Sequence, residues 1–271
     1  MQLRRLVSKR PSTSLLLGVA ASLAMQVTCL SLACPGQEAN SMSISSLRAS
    51  GLKALQEGNR NLAVESADAI VRLHSKDARA VRLAADIYLR SGKVDWATRL
   101  FNRYVSVAPE QMPELWQRGI ALYFTGNFQE AAKQFEAHRS VNPNDVENAA
   151  WHFLCVAKAN SFDEAKKLIL PAPGDRRVPM QQILEMLSSG DTEAVNARVN
   201  ETAVGTPERA DAAFYGDFYL GLYADAAGDI ERARKLLDRA AKDAPHHYMG
   251  DIARVYAAHL HSDDANTSVN E

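Results

Sequence analysis

Three glycines, Gly58, Gly92 and Gly126, follow one another at intervals of 34 residues. Five residues after each comes an alanine (Ala63, Ala97, Ala131), and the next step of the ladder lands on Ala165, with Asn160 in the glycine place. Phe101 and Phe135 keep the same register, as do Pro109 and Pro143. A fixed period of this length means a stack of like supersecondary units, and nothing else in the chain constrains the fold as tightly. Each column has a physical cause. Glycine closes a first helix, where a left-handed residue is favoured. Small residues at Gly51 and Gly119, and at Ala63 and Ala131, let two antiparallel helices approach closely. Pro109 and Pro143 end the second helix by withholding a donor. Each helix pair leaves an apolar face that only the next pair can cover.

The period and its columns are similar to those of the tetratricopeptide repeat. Units are expected at 44–77, 78–111, 112–145 and 146–170, the third being the most complete, with Gly119, Leu122, Gly126, Ala131, Phe135 and Pro143 in place. The stretch PAPGDRRVP interrupts the register, and residues 177–204 read as a degenerate helical pair within a 171–213 segment of pair and linkers. A full unit returns at 214–247, residues 248–260 suit a C-terminal capping helix, and the polar residues 261–271 read as a disordered tail. No run alternates as a half-buried strand would. The fold class expected is all-α: a helical-hairpin solenoid winding as a right-handed superhelix, with a degenerate middle pair.

Residues 1–10 are basic, the chain turns apolar from Ser14, and it becomes polar and small at Pro35. That order is an export signal over 1–33, followed by a linker at 34–43. Ser31-Leu32-Ala33 precedes Cys34 as a partial lipobox, which makes Cys34 the lipidation candidate. Free secretion and an uncleaved anchor are the alternatives. The chain is expected to be exported, to the periplasm or the cell envelope. Cys155 alone lies in the body of the chain, so no internal disulfide is available there and stability must come from apolar packing. Lys and Arg number 31 against 32 Asp and Glu, with no basic face, so nucleic acid is not an expected partner.

A more specific resemblance rests on Asn144-Asp145 through Ala149, Ala150, Trp151, Phe153 and Leu154. It rests also on Phe218-Tyr219-Leu220-Gly221-Leu222-Tyr223 with Gly228-Asp229, Ala233, Leu236 and Ala240. These stretches resemble the NlpI family of bacterial outer-membrane lipoproteins, over roughly residues 112–260. The resemblance implies a helical, periplasm-facing protein anchored by an acylated cysteine, here Cys34. It also implies an adaptor that brings cell-wall hydrolases to partners, among them a tail-specific protease.

In a stack of such pairs the first helix of each unit lines the concave surface. That geometry puts Arg48, Arg79, Arg82 and Arg90 at a basic end of the groove. Trp116, Ile120, Tyr123 and Phe124 come in an aromatic middle, and Leu154, Lys158, Phe218 and Leu222 beyond. Such a wall suits an extended or helical peptide with an acidic end and apolar anchors. The alternative for Trp116 and Phe124 is packing against a neighbouring first helix or the degenerate pair. For the arginines it is a solvated face, with Asp86 within i,i+4 reach of Arg82.

No catalytic, metal or cofactor motif is present, so neither an enzyme nor a cofactor is expected. His152 and Cys155 lie three apart on a face that stacking buries. His246, His247, His259 and His261 read as solvated helix ends. Two functions remain: an adaptor or scaffold that binds other proteins or peptide segments in its groove, and a structural subunit whose groove is filled by a homodimer partner or another fixed one. Membrane contact is expected only through a lipid anchor or an uncleaved signal.

Overall fold

The computed structural model describes residues 42–267, with side chains as far as Ser262. The export signal at 1–33, Cys34 and most of the 34–43 linker lie outside the described residues. The described chain is helical throughout and builds the expected hairpin solenoid. Helices α1 (Ile44–Gln56) and α2 (Arg60–His74) form the first pair, and α3 (Ala78–Arg90) and α4 (Val94–Val107) the second. The third pair is α5 (Trp116–Phe124) with α6 (Phe128–His138), the fourth α7 (Val146–Ala159) with α8 (Phe162–Lys167). The degenerate pair is α9 (Met180–Ser189) and α10 (Thr192–Asn200), and the last full hairpin α11 (Pro207–Ala226) and α12 (Ile230–Lys242). The chain ends in α13 (Tyr248–Thr267).

Local chemistry starts and stops these helices. The Asn59, Asp77 and Asp229 side chains accept the orphan N–H groups of Leu62, Ala80 and Arg232 at 3.1, 3.2 and 3.2 Å. Gly126 turns the chain out of α5 at φ 73°, a conformation that costs a side chain and is free to glycine. The close approach expected at Gly119 is also present. A Cβ built there would lie 2.6 Å from Cζ of Phe135, a ring that is itself only 1% exposed. Gly119→Ala is therefore expected to destabilise the fold by about 1–3 kcal/mol in urea unfolding. An unchanged midpoint would show that the Phe135 ring can move aside.

Four boundaries differ from the reading of the sequence. A 3₁₀ turn over Pro109–Glu114 precedes α5, so α5 begins only at Trp116; Pro113, inside the turn, cannot continue an α-helical ladder. Helix α8 has six residues and stops short of Pro171, whose ring disfavours helix in the residue before it. Helix α11 starts at Pro207 and not at 214, because Thr206 Oγ accepts the Arg209 N–H at 3.2 Å and proline fits the first helical position. At the other end α13 continues to Thr267 through residues read as a disordered tail. A helix already nucleated by packing extends at little cost through polar residues.

Consecutive helices pack in order along the stack, and the first helices α1, α3, α5 and α7 lie side by side. Because α8 is short, α11 packs directly against α7. The centre of the core is Trp151 on α7, 1% exposed, with Tyr123 and Phe124 of α5, Phe135 of α6, Phe218 of α11 and Tyr256 of α13 around it.

Candidate functional site

The wall made by the first helices already has an occupant, the chain's own α13. Tyr248 meets Trp116 edge-on at 4.6 Å, Val255 lies against Gly92, and Tyr256 stacks on Tyr123 at 5.7 Å. His259 packs edge-on against Phe124 at 5.2 Å. Helix α13 packs on α12, as the expected cap on the last hairpin, and reaches beyond it to α3, α5 and α7 on the concave side. Its apolar stripe (Ile252, Val255, Tyr256, Leu260) recurs every three or four residues, so one face can serve as anchor.

This arrangement corrects the expected groove residue by residue. Tyr123 and Phe124 are 4% and 6% exposed beneath α13 and are core. Ile120 and Leu154 are fully buried in the packing between helices, and Phe218 and Leu222 likewise. Trp116 is half-buried, with one face on Tyr248. Lys158 is engaged within the chain, its Nζ bonding Asp225 Oδ1 at 2.7 Å. Arg90 is engaged too, through Nη2 to Asp251 Oδ2 at 2.8 Å, while its guanidinium covers the Tyr248 ring at 5.0 Å. Arg48 and Arg79 stay exposed, and Arg82 is half-buried over the Tyr104 ring at 5.9 Å. Asp86 pairs with Arg90 at 3.9 Å, and no such bond to Arg82 forms.

Two polar clusters fasten the arrangement. In the first, Asp225 of α11, 2% exposed, accepts the Tyr123 hydroxyl at 2.8 Å and the Tyr256 hydroxyl at 2.5 Å besides Lys158. Burial, with Asp225 close by, pushes both phenols well above their ordinary value, so they stay protonated and donate. In the second, Arg177 from the loop after α8 pairs with Asp145, Glu147 and Asp175. Glu147 also accepts the Tyr219 hydroxyl at 2.5 Å. Burial pushes the Glu147 carboxyl up, and Arg177 opposes that shift. The proline-rich interruption thus carries the guanidinium that holds the N-terminus of α7, a role its composition did not announce.

The first turn of α13 does not seal the wall. Between it and α5, α6 and α7 lies a cavity of about 240 Å³, walled by Trp116, Phe135, Trp151, Tyr215, Tyr248 and Met249. Farther toward the first repeat, Arg60, Arg90, Arg254 and His246 surround Asp251 in a second depression of about 250 Å³. Asp251 takes both Arg90 and Arg254, the latter at 3.2 Å. Burial and the neighbouring Arg254 lower the pKa of Arg60, with Asp251 opposing.

His152 and Cys155 are 1% and 0% exposed, and burial pushes the Cys155 thiol well up, out of reach of ready ionisation. His247 and His259 are half-buried against aromatic rings, not solvated as read from the sequence. No group of three or more metal-ligating side chains converges among the described residues. Burial also holds the His152 imidazole below its ordinary value, against the pull of Glu136 at 3.3 Å. The unfolded chain protonates at about 6.5 and the folded one only below that. Its contribution to stability is whole above that value and is lost as pH falls from there to the folded pKa. An NMR titration of the ring is expected to give a His152 midpoint below about 6.5; one at or above it would contradict the burial.

Comparison with known proteins agrees with the repeat reading in part of the chain. Residues 48–113, the first two helix pairs and the turn after them, match the family model for the tetratricopeptide repeat. Among solved structures, the chain is similar to a tetratricopeptide repeat protein from Parabacteroides merdae. The two are 16% identical with a TM-score of 0.45, over 83% of this chain and 86% of that one.

Proposed function

We propose that this protein is a scaffold that holds a partner protein against the exposed basic wall of its first two repeats. Solenoids of this kind offer an extended concave binding surface. The observation that carries the reading is the occupant already in the groove. Helix α13 is an amphipathic segment with aromatic and branched anchors, and its acidic Asp251 is set against Arg90. The concave wall is thereby suited to a helix of that pattern. Helix α13 covers the middle of the wall and leaves Arg48 and Arg79 exposed at one end. A partner segment with acidic groups complements that end, and its attraction weakens with salt.

Export rests on the order of charge and apolarity in residues 1–33, and lipid anchoring on Cys34. That the partner is an envelope protease or a cell-wall hydrolase rests on the family resemblance alone. Among the described residues no helix is long and apolar enough to cross a membrane.

The test is site-specific photo-cross-linking in cells, with the cross-linker at position 48, 79 or 235, the last being an exposed site on α12. Positions 48 and 79 are expected to yield one common protein adduct that position 235 does not. The reading fails if all three give the same adducts, or if position 235 alone gives one. Fractionation of the same cells tests export: the chain belongs with the envelope, and recovery in the cytosol removes that part of the proposal.

A further inference from the structure

The cavity under the first turn of α13 carries chemistry that a scaffold does not need. Its volume, about 240 Å³, lies below the range of drug-sized sites, roughly 300–1,000 Å³, and corresponds to a single side chain with a short polar group. Trp116, Phe135, Tyr215 and Met249 give it apolar and aromatic walls. Two polar atoms of α7 residues that line it lack a hydrogen-bond partner: the indole Nε1–H of Trp151 and Oδ1 of Asn148. The two residues are 1% and 4% exposed. Buried groups of this kind are nearly always paired, so two on one cavity wall are a signal.

Their identities are settled by their other bonds. Asn148 Nδ2 donates to the Phe135 carbonyl at 3.0 Å, which leaves Oδ1 as the unpaired acceptor. Trp151 can only donate. The residues stand three apart on α7 and share the face that lines the cavity. His247, on the same cavity, accepts the Gly250 N–H at Nδ1 over 3.2 Å. Its Nε2 also lacks a partner, and burial favours the neutral ring, which makes Nε2–H a second donor. Charge is absent from the demand: Glu147 and Asp145 at the rim are both paired with Arg177.

We propose that this cavity is a binding site for a neutral amide carried on one aromatic or branched aliphatic group. The carbonyl accepts from Trp151 and His247, the amide N–H donates to Asn148, and the apolar body fills the space between Trp116, Phe135 and Met249. The same chemistry exists in a free small amide and in an apolar residue within a partner's chain. The site stands whether or not the basic wall holds a partner.

The experiment is an NMR titration of the full chain, following the three indole N–H signals with three ligands of one apolar body. These are 3-phenylpropanamide, 3-phenylpropanoate and 3-phenylpropylammonium. The amide is expected to shift the Trp151 signal, to leave that of exposed Trp96 in place, and to bind at least about tenfold tighter than either ion. Asn148→Leu and Trp151→Phe are each expected to weaken the amide by about tenfold while leaving the ions unchanged. Melting curves show that the variants are folded; should one of them fail to fold, the three-ligand comparison in the native chain still decides. Equal binding of all three ligands, no movement of the Trp151 signal, or an amide affinity untouched in both variants would overturn the site. A Gly-Gly-Phe-Gly-Gly peptide separates the sources. Binding within about tenfold of the free amide supports a partner's residue, and binding of the free amide alone supports a small molecule.

Discussion

Tyr256→Ala is expected to cost about 3–5 kcal/mol of stability, the range for deleting a large aromatic from a core. The residue is 0% exposed and its ring meets Tyr123, Phe124 and Trp151 at 5.7, 5.3 and 5.9 Å. Deleting it opens a cavity where α5, α7 and α13 meet, and it removes one of the two hydroxyls that bond Asp225 Oδ2. Tyr256→Phe keeps the ring and loses only the hydroxyl, so about 1–2 kcal/mol is expected. Urea unfolding measures both. A cost below about 1 kcal/mol for the alanine variant would mean that α13 is not seated on the concave wall.

The second large effect is expected at Lys158. Asp225 is 2% exposed, and Lys158 Nζ at 2.7 Å is the cation bonded to it. Lys158→Met leaves a buried carboxylate whose remaining partners among the described residues are the Tyr123 and Tyr256 hydroxyls. Breaking a fully buried pair from one side costs about 3–5 kcal/mol. The Lys158 side chain is 27% exposed, so water screens part of this and about 2–4 kcal/mol is expected. Asp225→Asn in the same chain removes the charge but keeps an acceptor for Tyr123 and Tyr256. The double variant should therefore recover most of the loss. Two additive losses would show that the pair does not act as a unit.

Much of the fold was legible because its determinants are local and repeated. The glycine at the end of each first helix, the alanine five residues on and the 34-residue spacing are set within a single hairpin. Gly119 against Phe135 needs nothing from outside the third unit. The groove was legible only in part, because its state depends on contacts far apart in the chain. Tyr123 and Tyr256 are 133 residues apart, and Arg90 and Asp251 are 161 apart. The amphipathic period of 248–260 announces a helix with one apolar face and does not say which wall receives it. Helix positions that would be concave in an open solenoid are therefore core here.

The role of Arg177 was hidden for a similar reason, since a loop rich in proline reads as an interruption and not as a clamp. One signal was present: Asp145 and Glu147 at the start of α7 with a guanidinium in the next loop. The unpaired atoms of Asn148 and Trp151 belong to no sequence pattern at all.

Amide hydrogen exchange reports whether α13 occupies the concave wall of its own solenoid. Residues 252–260 are expected to exchange as slowly as the core of α5 and α7, because all three would be released only by a common opening. Tyr256→Ala should then speed exchange in α13 and in the α5 residues beneath it together. Exchange of 252–260 at the rate of an isolated helix, with α5 still protected, would contradict the account, since the groove would then be open in solution.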